Sequence, residues 1–215
     1  MKKSILIIGA GPGLSQGVAN KFAKEDFSIA LISRNAANLE NIKQELSAKG
    51  VREVSYTIAN AGNAKELGEA ISKLAIQVNG FDVVLYNAAV VKAKDIMEES
   101  TEVLTHDFTI NVANALHSLQ VAYPGLKEKQ GAFLLTGGGL GITPDAGYGS
   151  LSIGKAGLRS LAYQLHDRLK NENIYVGLLT VAGYINEQSA THSPDLLANL
   201  FWKLYEERAV AEIQQ

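Results

Sequence analysis

Three glycines within five residues, Gly9, Gly11 and Gly13, with Pro12 between the last two, end the continuously apolar run from Ser4 to Ile8. Glycine in such a turn lets the backbone approach a ligand closely and change direction sharply. After it, Val18, Ala19, Phe22 and Ala23 recur at helical spacing, so a helix start offers free N–H groups and positive potential to an anion. In a parallel sheet this is where a dinucleotide pyrophosphate sits, which makes Gly9, Gly11, Pro12, Gly13 and Leu14 candidate cofactor contacts. Leu14 stands where the third glycine of G-x-G-x-x-G would fall, and the spacing fits G-x-x-x-G from Gly9 to Gly13 instead. A turn that serves packing alone is the competing reading, and flavin-binding turns also begin with Gly-Ala-Gly-Pro.

A second apolar run, Ser28 to Ile32, ends in Ser33 and Arg34. An acidic residue there binds ribose hydroxyls in flavin- and NAD-binding turns, whereas a guanidinium fits a 2′-phosphate as a bidentate donor. NADP(H) is therefore favoured over NAD(H), with a solvated surface charge as the alternative for Arg34.

Other chemistry has little support. The chain has no cysteine, which removes thiolate nucleophiles, thiolate metal sites and disulfides. The four histidines, His106, His117, His166 and His192, show no metal-ligand spacing, so no metal is expected. Twenty Lys and Arg against 22 Asp and Glu leave a net charge of −2 without a basic run, which argues against nucleic acid. The N-terminal apolar stretch ends too soon in glycines for a signal peptide, and no run of about 18 apolar residues exists. A cytoplasmic protein without a membrane span is expected.

These groups are carried by a regular alternation. Strands are predicted over 4–8, 28–32, 54–58, 82–86, 132–136 and 174–181, with helices over about 101–129, 150–170 and 195–206 and further helices between the early strands. A short last strand is expected over 209–213. Continuous apolar strands alternating with helices mean a parallel sheet covered on both faces, a doubly wound α/β sandwich of the Rossmann-like three-layer kind. With 215 residues and 47% hydrophobic content, one domain over 1–215 is expected.

At this level the chain resembles the short-chain dehydrogenase/reductase family from Lys3 to about Ile213. Gly9-x-x-x-Gly13 is similar to the family's T-G-x-x-x-G-x-G turn, with Ile8 for its threonine and Ser15 for its last glycine. Asn60, followed by Ala61, stands where the family has an aspartate against adenine. Asn87-Ala88-Ala89 resembles the N-N-A-G motif, Asn111 matches the asparagine that holds a water against the catalytic lysine, and Gly183 to Ile185 resembles the segment that contacts the nicotinamide amide. The resemblance implies an NADP(H) oxidoreductase acting on a small-molecule substrate, with Thr136 placed to contact ligand and Lys155 holding the nicotinamide ribose.

The family's active site is Tyr-x-x-x-Lys with a serine 13 residues before the tyrosine; counted back from Lys155, these positions hold Leu151 and Gly138. Hydride delivery to a carbonyl makes an alkoxide that needs a proton donor and polarising hydrogen bonds, and leucine and glycine supply neither. Tyr148 is the nearest phenol. His192 falls in the segment that caps the family's substrate site. Two functions follow: a divergent oxidoreductase with an unusual proton donor, or a non-catalytic NADP(H)-binding sensor or regulatory protein that takes an effector. A homodimer or homotetramer is expected, because Leu158, Leu161, Leu165 and Leu169 form an apolar row and the family pairs such helices.

Overall fold

The computed structural model describes residues 2–215. Its strands are β1 (Ser4–Ile8), β2 (Ser28–Ser33), β3 (Val54–Ile58), β4 (Val83–Tyr86), β5 (Ala132–Thr136), β6 (Tyr175–Thr180) and β7 (Glu212–Gln214). All are parallel, in one sheet of order β3-β2-β1-β4-β5-β6-β7. The order reverses direction at β1 and β4, so the carboxyl ends of those strands open the crevice in which doubly wound sheets bind ligands.

The alternation of side chains explains why the central strands read as unbroken apolar runs. Ile5 and Ile7 of β1 enter one core with α1 (Leu14–Lys24), α2 (Ala36–Ala48) and α7 (Pro194–Glu207). Leu6 and Ile8 enter the other, with α3 (Ala64–Val78), α5 (Asn114–Lys129) and α6 (Gly149–Leu169). A strand buried on both faces has no polar face to show. On the first side α1 and α7 touch at backbone distance: a Cβ on Gly17 would lie 2.7 Å from the Pro194 carbonyl oxygen.

Three expectations are corrected. The helix expected over 101–129 is divided into α4 (Thr101–Phe108) and α5 by one π turn, Thr109–Ala113. The wider turn directs Asn111 inward, where its Oδ1 accepts a bond from the Val90 N–H at 2.7 Å. The last strand begins at Glu212 rather than 209, because the Glu212 carboxylate is held by Arg159 and Thr180 beside β6. The leucine row of α6 does not face outward: Leu158 and Leu169 are buried, and Leu161 and Leu165 pack on the chain's own core. Exposed apolar side chains on α4 and α6 include Val103, Phe108 and Ile153. Among the described residues, no helix is long and apolar enough to cross a membrane.

Candidate functional site

The glycine turn after β1 is fixed by contacts that only glycine permits. Gly9 has φ +82°, and a Cβ there would lie 2.5 Å from the Ala88 nitrogen at the end of β4. The N–H groups of Gly9 and Ala10 both donate to the Ile32 carbonyl at 2.9 Å, tying the turn to β2. Gly13, at φ +79°, begins α1 without a capping side chain, and the first turn of α1 carries no acid. Its N–H groups and the positive end of the helix are thus available to a phosphate. Ser15, which the sequence reading saw only as a missing glycine, braces the turn: its hydroxyl donates to the Gly9 carbonyl at 3.0 Å and accepts from Asn87 Nδ2 at 2.8 Å. No local signal pairs Ser15 with Asn87, which is 72 positions away in the chain.

From this turn a cleft of about 810 Å³ runs along the carboxyl ends of the strands. Gly9, Gly11, Pro12, Gly13 and Leu14 line one end, Asn87 and Ala89 its middle, and Thr136 to Leu140, Leu151 and Lys155 the other, with Val181 to Ile185 as a side wall. The amine of Lys155 donates to the Thr136 carbonyl at 2.8 Å, and desolvation pushes it down to about 8. The Thr136 hydroxyl is buried and has no partner among the described residues. Tyr148, immediately before α6, and Tyr184, on the side wall, meet across the mouth in a hydrogen bond that raises the Tyr148 phenol above its ordinary value.

Several expected residues lie elsewhere. Ser33, the last residue of β2, Arg34 after it, and Asn60 and Ala61 after β3 lie beyond the cleft lining; Arg34 is exposed and has no carboxylate partner among the described residues. The Asn60 Oδ1 accepts from the Gly62 N–H at 2.9 Å in a tight turn. Ala88 is packed under Gly9, and Asn111 stands behind Gly154 of α6, where a Cβ would meet its amide at 2.6 Å. The histidines stay outside as well: His192 packs its ring on Gly183 and meets the Gln215 carbonyl at 3.2 Å, behind the cleft wall. The other α6 hydroxyls are engaged, Ser150 with Asp107 at 2.8 Å and Ser152 with the Asp145 backbone.

A buried ion cluster braces this end. Asp107, on α4, is 2% exposed, and receives Lys92 at 2.8 Å as well as Ser150. Burial would raise the Asp107 carboxyl, but bonds from Lys92, Ser150 and His106 hold it below the ordinary value. Lys92 also reaches Glu99 at 3.0 Å, so the segment after β4, α4 and the first turn of α6 are held together by charge.

The sequence profile of a family described as short chain dehydrogenase matches residues 3–193. The chain belongs to the short-chain dehydrogenase family. Within the family it is 33% identical over 122 residues to a diacetyl reductase, (S)-acetoin forming, of Staphylococcus epidermidis, a match covering 57% of this chain and 47% of that one. The chain thus spans about half the length of that relative. A 3-oxoacyl-(acyl-carrier-protein) reductase FabG of the same species is 25% identical over 199 residues, 91% of this chain and 81% of the other. Two solved structures share the fold. YwfH, an NADPH dependent reductase involved in bacilysin biosynthesis, superposes with TM-score 0.90 at 21% identity over 100% of this chain and 96% of that one. The alcohol dehydrogenase of Thermococcus sibiricus, complexed with 5-hydroxy-NADP, does so with TM-score 0.86 at 22% identity over 99% and 95%.

Leu151 and Gly138 form part of the cleft floor beside Lys155. Leu151 lies one helical turn before Lys155 and is 5% exposed, its side chain forming part of the lining. Gly138 lies against the lysine stem, where a Cβ would sit 3.3 Å from the Lys155 Cε.

Proposed function

We propose that this short-chain dehydrogenase is an oxidoreductase that binds NADP(H) along the cleft and acts on a small molecule at the Leu151 end. The observation that carries the reading is the continuity of one cleft from the uncapped start of α1 to Lys155. Two features suit a dinucleotide: the glycine cradle, where nothing lies within 4 Å of a Cβ on Gly13, and the orphaned Thr136 hydroxyl at the far end. When bound, the nicotinamide would supply or accept a hydride.

The chain's own residues then have separable parts. The first turn of α1 neutralises the pyrophosphate, and Arg34, beside Ser33 at the end of β2, grips the 2′-phosphate as a fork. Asn60 and Ala61 border the adenine. Lys155 donates to the nicotinamide ribose hydroxyls, while Gly183 and Ile185 border the nicotinamide amide. Asn111 is a positioning residue that holds the Val90 backbone and supports α6 from behind. Tyr148 is the remaining phenol beside the substrate end, but its bond to Tyr184 makes it a weaker acid than an ordinary tyrosine. A second copy packing on Val103, Phe108 and Ile153 would give a homodimer or homotetramer, which sedimentation tests; a monomer at micromolar concentration removes it.

Titration of cofactor fluorescence tests the central reading. NADPH should bind more tightly than NADH, and Arg34→Ala should weaken NADPH by about 10- to 100-fold while leaving NADH nearly unchanged. Equal losses for both would show that Arg34 supports the fold rather than the phosphate. Tight NADPH binding without turnover of any substrate would instead identify a non-catalytic sensor.

A further inference from the structure

The substrate end of the cleft combines two properties that a ketone reductase should not have together. Its floor lacks an acid stronger than an alcohol: Leu151 and Gly138 carry no donor, the unpartnered Thr136 hydroxyl is an alcohol too weakly acidic to protonate an alkoxide, Ser150 and Ser152 are bonded elsewhere, and the Lys155 amine is turned to the Thr136 carbonyl. Its mouth, by contrast, is furnished for positive charge. Asp145 and Lys155 are the two charged side chains among the described residues of the lining. Asp145 is held in place, since its backbone N–H and carbonyl both bond the Ser152 hydroxyl, at 3.1 and 3.2 Å, and its Oδ1 accepts from the Gly147 N–H at 2.7 Å. Its Oδ2 has no partner among the described residues. In the same lining stand Tyr148, within electrostatic reach of Asp145, and Tyr184, the two joined through their hydroxyls. A carboxylate with two phenol rings is the arrangement that recognises cationic nitrogen. Apart from Thr136 and Thr143, the walls around them are hydrocarbon, from Val91, Leu140, Leu151, Val181 and Ile185.

One substrate class reconciles the two ends. We propose that the C=N bond of an apolar iminium ion, rather than a ketone, is what this site reduces, with Asp145, Tyr148 and Tyr184 recognising the cation. The inference rests on the oxidoreductase reading above and names its substrate class. Reduced nicotinamide supplies the hydride, which forms a C–H bond at the iminium carbon as the C=N π pair moves onto nitrogen. The product is a neutral amine and the nicotinamide is left oxidised. No negative charge develops and no proton is transferred, so neither a tyrosine at 151 nor a serine at 138 is required. A ketone in the same position would become an alkoxide against leucine, with no acid stronger than the Thr136 alcohol to protonate it. A carboxylate or phosphate substrate would find Asp145 at the entrance and no free cation to hold it.

The test compares N-methyl-dihydroisoquinolinium, a permanently charged cyclic iminium, with tetralone, the uncharged ketone of similar shape. NADPH oxidation at neutral pH, corrected for the uncatalysed reaction, should be at least about 100-fold faster with the iminium, because general acid catalysis is missing only for the ketone. Calorimetry on the NADP-loaded protein supplies a readout that needs no turnover. Dimethyl-tetrahydroisoquinolinium, a cation that cannot accept hydride, should bind more tightly than the neutral tetralol. Asp145→Asn should weaken the cation by about fivefold more than the alcohol, the size expected of an exposed ion pair, and Tyr184→Leu by about threefold more. Tetralone turned over as fast as the iminium, or a cation bound no better than tetralol, overturns the inference even where NADPH binds tightly. Loss of NADPH binding itself, measured in the separate fluorescence titration, is the failure of the underlying reading.

Discussion

The two ends of the cleft are built by opposite means. At the Gly9–Leu14 end the backbone shapes the site: positive-φ glycines, an uncapped helix start, and Ser15 and Asn87 bracing the turn from β4. At the Gly138–Leu151 end, side chains would have to do the chemistry, and the floor offers hydrocarbon, the Thr136 alcohol and one amine already bonded to the backbone. A ligand's phosphates are charged before, during and after reaction, so their site must be complete in every member that binds the cofactor. Charge at a reacting carbon, in contrast, depends on the substrate, and the groups that stabilise it are dispensable when none develops. Under the proposed reading, a complete phosphate turn beside a floor of leucine and glycine fits a change of substrate chemistry better than decay of the whole site.

The largest expected effect breaks the contrast by making the second end ordinary. Leu151→Tyr with Gly138→Ser should leave NADPH affinity unchanged and raise tetralone reduction by about 10²-fold or more, since general acid catalysis contributes roughly 10²- to 10⁴-fold. The serine is tolerable because its nearest neighbour, Lys155 Cε at 3.3 Å, belongs to a flexible side chain. Steady-state kinetics with both substrates reads the change of preference, and a double variant that binds NADPH but gains nothing on tetralone removes the missing acid as the explanation.

Gly9→Ala strikes the other end. Its methyl would lie 2.5 Å from the Ala88 nitrogen at a φ of +82°, and strain and overpacking together should cost about 3 kcal/mol. The midpoint of thermal unfolding should fall by about 10 °C and NADPH binding by roughly 100-fold, whereas Gly11→Ala, whose Cβ would meet nothing nearer than Asn38 at 3.6 Å, should leave the unfolding midpoint almost unchanged. Equal midpoints for the two variants would show that the Gly9 contact is not what shapes the turn.

The smallest effect sharpens the comparison at the residue the two ends share. Lys155, with its amine at about 8, is mostly ammonium at pH 7 and mostly amine at pH 9. The charge-assisted donor to the ribose is present below that value and lost as pH rises through it, so NADPH should bind about three- to tenfold more weakly at pH 9. Lys155→Met should bind weakly at both and show a flat profile. A wild-type affinity that does not change between these pH values would place the cofactor away from Lys155.

The order of strands and helices was legible because a doubly wound sheet repeats one local rule, an apolar run closed by glycine or a polar turn and followed by 3.6-residue periodicity. The π turn at Thr109–Ala113 was not, since it exists to bring Asn111 to the Val90 backbone, a contact between segments 21 residues apart. The leucine row of α6 misled for the same reason. Periodicity shows that a face is apolar, and only packing shows that the chain's own sheet covers it.

By itself the sequence determined the parallel sheet, the glycine turn from Gly9 to Gly13, an arginine just after β2 and the leucine and glycine at positions 151 and 138, all of them local or set by spacing from a single lysine. What only the tertiary structure decided is the company those residues keep. Tyr148 and Tyr184 are 36 positions apart and meet because α6 starts beside the segment leaving β6, and Asp145 joins them because Ser152 holds its backbone. Local propensity carries no information about which side chains face one another across a cleft; that follows from the register of the strands and the packing of the helices on them.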